Sequence, residues 1–193
     1  PMVWNVTIIG EVPKGTAVMR SGAQVGDVVG VTNYVGYAAT GLGALSYNLE
    51  GYTMTKVGHQ RPDPQIELGQ QLRQLGVHSM NDISDGLGSE LNEIASASNV
   101  SIVVEEQAIP LHEETYALAK HLQTKPVDYA LYGGEEFQLV FTAPQSLVPK
   151  LEQLGGITLI GEVVSGSAKV QMVTPDKTIK TIEAKGYNHF HES

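Results

Sequence analysis

The sequence predicts an α+β fold, a mixed β-sheet with helices packed on it, and three observations carry that expectation. Short β-branched runs alternate with stretches whose apolar residues recur every three or four positions. Of 193 residues, 41% are hydrophobic, enough for a real core, and 17% are charged, below the share typical of disordered chains. Glycine is frequent, at 21 residues, so tight turns and close backbone approaches are expected.

Val3 to Val12 reads as a strand, opened by the β-formers Val3, Trp4, Val6, Ile8 and Ile9. Pro13 to Gly26 is a loop containing Gly15, Gly22 and Gly26, and Val28 to Thr32 is a short strand. Gly36 to Leu49 carries Ala38, Ala39, Leu42 and Leu45, the pattern of a tightly packed helix. Gly51 to Asp63 is polar and reads as irregular, ending in Arg61-Pro62-Asp63-Pro64. A helix over Gln65 to Leu75 presents Ile66, Leu68, Leu72 and Leu75 as one stripe. Val77 to Ile83 follows as a strand, then a helix from Gly86 to Ser98 with Leu87, Leu91, Ile94 and Ala95 at helical spacing. Ser101 to Glu105 reads as a strand, Glu113 to Leu122 as a helix, Phe137 to Phe141 as a strand and Gln145 to Leu154 as a helix. Ile157 to Val164 and Ala168 to Val173 form an expected antiparallel pair joined by Ser165-Gly166-Ser167. Pro175-Asp176-Lys177 turns the chain into a last strand over Thr178 to Ile182.

Composition narrows the function. Twelve basic against 21 acidic residues give a net charge of −9, which argues against nucleic acid, whose phosphates are held by clustered Lys and Arg. The same balance suits a protein that binds cations, or anions through cations, and equally suits plain solubility. With no cysteine, disulfides, thiolate metal sites and a Cys nucleophile are excluded, and a reducing cytoplasm is compatible. No apolar run approaches the roughly 18 residues of a membrane span, so a membrane partner is not expected. Pro1 leads straight into the strand-like segment with no signal-peptide pattern, which suggests a processed or truncated product. The six histidines lack zinc-motif spacing, no Ser–His–Asp set is assignable, and no G-x-x-x-x-G-K-[ST] loop occurs.

Four stretches carry chemistry. In Met80-Asn81-Asp82-Ile83-Ser84-Asp85-Gly86-Leu87, Asp82 is expected to end a strand and Asp85 to open a helix. Free N–H groups at a helix start favour phosphate, and flanking carboxylates tolerate phosphate only with a hard cation between them. Mg²⁺, with one or two carboxylates and phosphate oxygens in its shell, fits that pattern. A helix cap by Ser84 or Asp85 is the simpler account on spacing alone. In Tyr132-Gly133-Gly134-Glu135-Glu136-Phe137, the glycines allow a tight turn or a ligand approach, and Glu135 is placed to accept from an amine-bearing ligand; a Gly-Gly turn with water-exposed glutamates explains it as simply. Arg20, in Arg20-Ser21-Gly22-Ala23, is able to fork onto phosphate or to stand in water. Lys185-Gly186-Tyr187-Asn188-His189-Phe190 offers rings for stacking or for covering an apolar patch.

Together and in order, these stretches resemble the thiamine-monophosphate kinase family, within the superfamily of aminoimidazole-ribonucleotide synthetase-like ATP-using enzymes. The match runs through Gly10-Glu11-Val12, Arg20 to Ala23, Gly26-Asp27, Gly36 to Leu42, His59 with Arg61-Pro62, Asp82 to Leu87, Gly133 to Glu136 and Lys185-Gly186-Tyr187. The resemblance implies phosphoryl transfer from ATP to thiamine monophosphate in the cytoplasm, with Mg²⁺ as cofactor and a homodimer for the complete enzyme. It implies Asp82 and Asp85 as metal ligands, Arg20 and Ser84 as ATP-phosphate contacts, and Glu135 and Tyr187 as substrate contacts. The family's enzyme is about twice this long, so the resemblance makes residues 1–12 the last strand of a missing N-terminal domain and residues 13–193 a C-terminal α/β domain, inactive alone. The family commonly has Asp where Tyr37 and Glu136 stand. A sibling ATP-dependent enzyme and a non-catalytic phosphate-binding module are the alternatives.

Overall fold

The computed structural model describes residues 2–185. In chain order these contain β1 (Asp27–Thr32), α1 (Tyr37–Ser46), α2 (Thr53–Gln60), α3 (Ile66–Leu75), β2 (Ser79–Asp82), α4 (Leu87–Ser98), β3 (Ser101–Glu105), α5 (Glu113–Leu122), α6 (Pro126–Tyr132), β4 (Leu139–Pro144), α7 (Val148–Leu154), β5 (Ile157–Val164), β6 (Val170–Val173) and β7 (Ile179–Ile182). The strands form one mixed sheet in the order β2-β4-β1-β5-β3-β6-β7. Its pairings are antiparallel except β3 with β6, which is parallel. The expected α+β architecture is therefore present.

β1 sits inside the sheet between β4 and β5, and all of its residues are buried. Alternate side chains leave a strand on opposite faces, so β1 serves two cores. Val29 and Val31 join Leu87, Leu91 and Ile94 of α4 and Leu131 of α6. Val28 joins Leu72 of α3, Leu151 of α7 and Phe141 of β4 on the other side. Gly30 is required here, because an added Cβ would lie 2.4 Å from the Phe141 ring. α1 and α5 pack on α6, and α2 packs on α1.

Four expectations need correction. Residues 2–12 carry no strand and lie exposed, pairing with none of the described strands. A strand is held by partners for its backbone groups, and the described residues supply none there. β5 and β6 do not form a hairpin: β3 lies between them, bonded to both, because its buried Ile102 and Val104 complete the core there. An added Cβ on Gly161 would lie 2.1 Å from the Val103 carbonyl oxygen, so β5 approaches β3 closely at that point. The expected 145–154 helix is a 3-10 turn over 145–147 followed by α7, with a Pro in the helix's first turn. The stretch read as irregular, Gly51 to Asp63, contains α2.

α2 was hidden because its start is stabilised from elsewhere. Its N-cap Tyr52 supplies no side-chain bond. Glu114 of α5 instead accepts from the Met54 amide at 3.2 Å, the Thr55 amide at 2.8 Å and the Thr55 hydroxyl at 2.7 Å. Burial pushes the Glu114 carboxyl up, but the bonds from Thr55 and Met54 outweigh it and hold it below its usual range. α6 was also missed; only Pro126 in its first turn and the buried Val127, Ala130 and Leu131 mark it. Replacing Glu114 by Ala should lower stability by about 1–2 kcal/mol, the upper part of the range for a lost helix cap. Hydrogen exchange at Met54 and Thr55 should accelerate selectively; unchanged protection there would show that α2 stands without this cap.

Candidate functional site

Two loops meet at one end of the sheet. Beyond the last regular pair of β2 and β4, Ile83 N–H donates to the Gln138 carbonyl at 2.7 Å. The Phe137 and Glu136 amides donate to the Ile83 carbonyl at 2.9 and 3.2 Å, and the Glu135 amide to the Ser84 carbonyl at 2.8 Å. The ladder thus continues as loop-to-loop bonding and draws the 82–87 and 132–137 segments together. Gly133 and Gly134 are demanded by closeness. A Cβ on Gly134 would lie 2.7 Å from the Ser84 carbonyl oxygen, and one on Gly133 would lie 2.3 Å from Ala39 Cβ. The left-handed turns fall instead on Glu135 (φ 61°) and Phe137 (φ 53°), a conformation uncommon for side-chain-bearing residues. Phe137 therefore lies outside β4, where it was expected to begin the strand.

Asp82 ends β2 and is exposed, and Asp85 is exposed just before α4. Neither Ser84 nor Asp85 caps that helix. Gly86 occupies the cap position without a side-chain bond. The first turn of α4 supplies the polar partner instead: the Glu90 carboxylate accepts from the Asp85 amide at 3.3 Å, the Ser84 hydroxyl at 3.4 Å and the Asn81 side-chain amide. Asn81 in turn accepts from Arg20 Nε at 3.2 Å, and Arg20 Nη1 lies 3.0 Å from Glu93. The Arg20 loop is anchored on α4, where Ser98 Oγ accepts from the Gly22 and Ala23 amides at 3.1 Å each.

The structure thus brings Arg20, Asp82, Ser84, Asp85 and Glu135 to one corner; Tyr187 lies outside the described residues. Asn81, Glu90 and Glu93 join that corner unpredicted. One signal for Glu90 stood in the sequence: it falls on the stripe of α4 that also carries Leu87, Leu91 and Ile94, where a charge needs polar partners. Burial raises its carboxyl to about 7, opposed by the Asp85 amide and reinforced by Glu93, Asp82 and Asp85. Among the described residues, no three His, Asp or Glu side chains are grouped to hold a metal ion. The exposed Asp82 and Asp85 are two hard oxygen donors, which suits Mg²⁺ that draws its other ligands from phosphate and water.

Glu136 departs from the expected water-exposed carboxylate: it is 4% exposed. Its two oxygens accept from the Tyr37 and Ala38 amides at 3.1 and 3.2 Å, at the start of α1. Burial raises its carboxyl from 4.5 to about 7, against the lowering effect of those amides. Between these values the folded chain holds a proton that the unfolded chain has lost, so stability falls as pH rises from 4.5 to 7 and levels off above. Urea unfolding at pH 5 and pH 8 should differ by about 1–3 kcal/mol from this group. Glu136→Gln should remove that part of the slope; equal slopes in variant and parent would reject the assignment.

Comparison with known proteins places this geometry. The family model for AIR synthase related protein, C-terminal domain, matches residues 24–173. The thiamine-monophosphate kinase of Bacillus subtilis (strain 168) is 37% identical over 200 residues, covering 98% of this chain and 60% of that protein. The solved structure described as AaThiL complexed with AMPPCP and TMP superposes with a TM-score of 0.78 at 32% identity, over 90% of this chain and 54% of that one. The thiamine-monophosphate kinase structure from Stenotrophomonas maltophilia K279a gives 0.77 at 30% identity, over 83% and 54%. This chain accordingly spans little more than half the length of the relatives it matches, and it belongs to the AIR synthase related protein family, whose C-terminal domain it contains.

Proposed function

We propose that the chain is the C-terminal part of a kinase that transfers a phosphoryl group from ATP to thiamine monophosphate, giving thiamine diphosphate and ADP. The observation that carries this reading is the meeting of the 82–87 and 132–137 loops beside Arg20. The loop to which this reading gives the metal and the loop to which it gives the substrate are thereby joined by four backbone bonds. The similarity to thiamine-monophosphate kinases, and to a complex described as containing AMPPCP and TMP, supports the choice of substrates.

In this reading Asp82 and Asp85 hold Mg²⁺, which when bound would neutralise charge on the transferring phosphate. Ser84 donates from its hydroxyl to a phosphate oxygen of ATP. Arg20 exchanges its contact with Glu93 for the phosphates, a stronger partner for a guanidinium fork. Glu135 and Tyr187 contact thiamine monophosphate. The acceptor is a phosphate oxygen that is already ionised, so no general base is needed and the residues act by positioning and charge. The remaining part of the enzyme is an N-terminal domain beside residues 2–12, with a homodimer as the complete assembly and the cytoplasm as its location. Among the described residues no helix is long and apolar enough to cross a membrane.

The test is a chimera in which this chain replaces the matching part of the Bacillus subtilis relative. It should form thiamine diphosphate from thiamine monophosphate and Mg·ATP; a folded chimera that binds neither substrate would overturn the proposal. Asp82→Asn in that chimera should lower the rate by at least about 10²-fold through lost metal coordination. Its thermal stability should hold or rise slightly, because clustered carboxylates repel one another. A near-normal rate at saturating magnesium would remove Asp82 from the metal site.

A further inference from the structure

One residue of the corner has no role in the reading above, yet it lies between the arginine and the carboxylates. Asn81, next to Asp82 in β2, is 9% exposed, and its amide bonds in two directions. Oδ1 accepts from Arg20 Nε at 3.2 Å. Nδ2 donates to the Glu90 carboxylate and, at 3.3 Å, to Glu93 Oε2. We propose that Asn81 is a positioning residue for the phosphate donor: it holds Arg20 by Nε, leaves the Nη groups to the phosphates, and ties that arginine through Glu90 to Ser84 and Asp85. The assignment rests on the kinase reading and adds to it the group that aims its arginine.

The arginine needs aiming. Its backbone is held on both sides: the Met19 carbonyl accepts from the Met80 amide at 3.1 Å, and the Gly22 and Ala23 amides donate to Ser98 Oγ. The side chain between those anchors is 56% exposed, so packing does little to fix it. Its two polar partners are Asn81 at Nε and Glu93 at Nη1. Phosphate binding requires only the second to be given up. Glu93 is 45% exposed and presents one carboxylate against several phosphate oxygens, so the exchange is favourable. The bond to Asn81 uses one of the five guanidinium N–H donors, and the four on Nη1 and Nη2 remain for a ligand. Asn81 therefore acts as the pivot and Glu93 as the resting partner.

The residue type fits the task. Between a guanidinium and two carboxylates, a linking side chain must accept at one end and donate at the other. Asp would turn an acceptor toward Glu90 and Glu93, and Leu would offer neither function; an amide does both without adding charge. The same neighbours fix which way the amide faces, since the reverse would set Nδ2 against the Nε–H and Oδ1 against the carboxylates. Glu90, 2% exposed, passes the hold onward: its Oε1 accepts from the Ser84 hydroxyl at 3.4 Å and the Asp85 amide at 3.3 Å. One hydrogen-bonded chain thus sets the arginine loop against the loop to which the kinase reading gives the metal. Catalysis by positioning requires such fixed relative placement.

The experiment is a double-mutant cycle of Asn81→Ala and Arg20→Lys in the chimera with the Bacillus subtilis relative, with KM measured separately for Mg·ATP and thiamine monophosphate. Asn81→Ala should raise KM for Mg·ATP at least about tenfold, the effect of losing one hydrogen bond to a charged group. It should leave KM for thiamine monophosphate within about twofold. Arg20→Lys keeps the charge but has no Nε–H to be held, so it should raise the same KM. On that background Asn81→Ala should add no more than about twofold. A general loss of packing would instead move both KM values and add in full to Arg20→Lys. That result overturns the proposal, as does an unchanged KM for Mg·ATP in Asn81→Ala. If Asn81→Ala does not fold, Arg20→Lys, a change on an exposed side chain, decides alone: a rise of at least about tenfold upholds the proposal and a smaller one overturns it. The parent chimera reports on the kinase reading. If it forms no thiamine diphosphate, that reading falls and this one with it; if it is active and the cycle is additive, the role of Asn81 alone falls.

Discussion

The site depends on one constraint, the hydrogen bonding that continues the β2–β4 ladder past its regular end. Four backbone bonds between residues 83–84 and 135–138 hold the two loops together. Such bonds need the two backbones in near contact, which the missing side chain of Gly134 permits and the positive φ of Glu135 shapes. Asp82, Ser84, Asp85 and Glu135 acquire a common surface from that contact.

A second theme is the use of acidic side chains as caps from a distance. α1, α2 and α4 lack a side-chain bond at their own cap positions. Glu136 serves the first, Glu114 the second, and Glu90 the turn leading into the third. The positive end of each helix thereby meets a carboxylate. Part of the acidic excess of the chain is consumed inside the fold, in capping these helices, while Asp82, Asp85 and Glu135 remain exposed. Two of the three caps, Glu90 and Glu136, are also buried carboxylates that burial raises to about 7.

Much of this was legible beforehand. The stripe of α3, the small-residue helix α1, the buried run of β1 and the turn into β7 each announce themselves by local periodicity or turn chemistry. The two motifs of the corner were visible as motifs. Their meeting was not, because residues 84 and 135 are brought together by strand pairing rather than by neighbourhood. α2 escaped notice because Thr55 is its only buried residue in the helix and its cap comes from α5. The placement of β3 between β5 and β6 escaped notice because a short Ser-Gly-Ser connection reads as a hairpin whatever strand lies between.

What the sequence by itself determined is the kind of protein: an acidic, cysteine-free α+β chain with two carboxylates at a strand-to-helix corner, a Gly-Gly-Glu loop and an arginine loop. Those properties are local, set by side-chain chemistry and spacing along a few residues. Tertiary structure alone decided that Arg20 reaches Asn81 and Glu93, that Glu90 braces the corner, and that Glu136 turns inward while Glu135 turns outward. The physical reason is that these contacts depend on which strands pair and in what register, and pairing is a competition among all the strands at once.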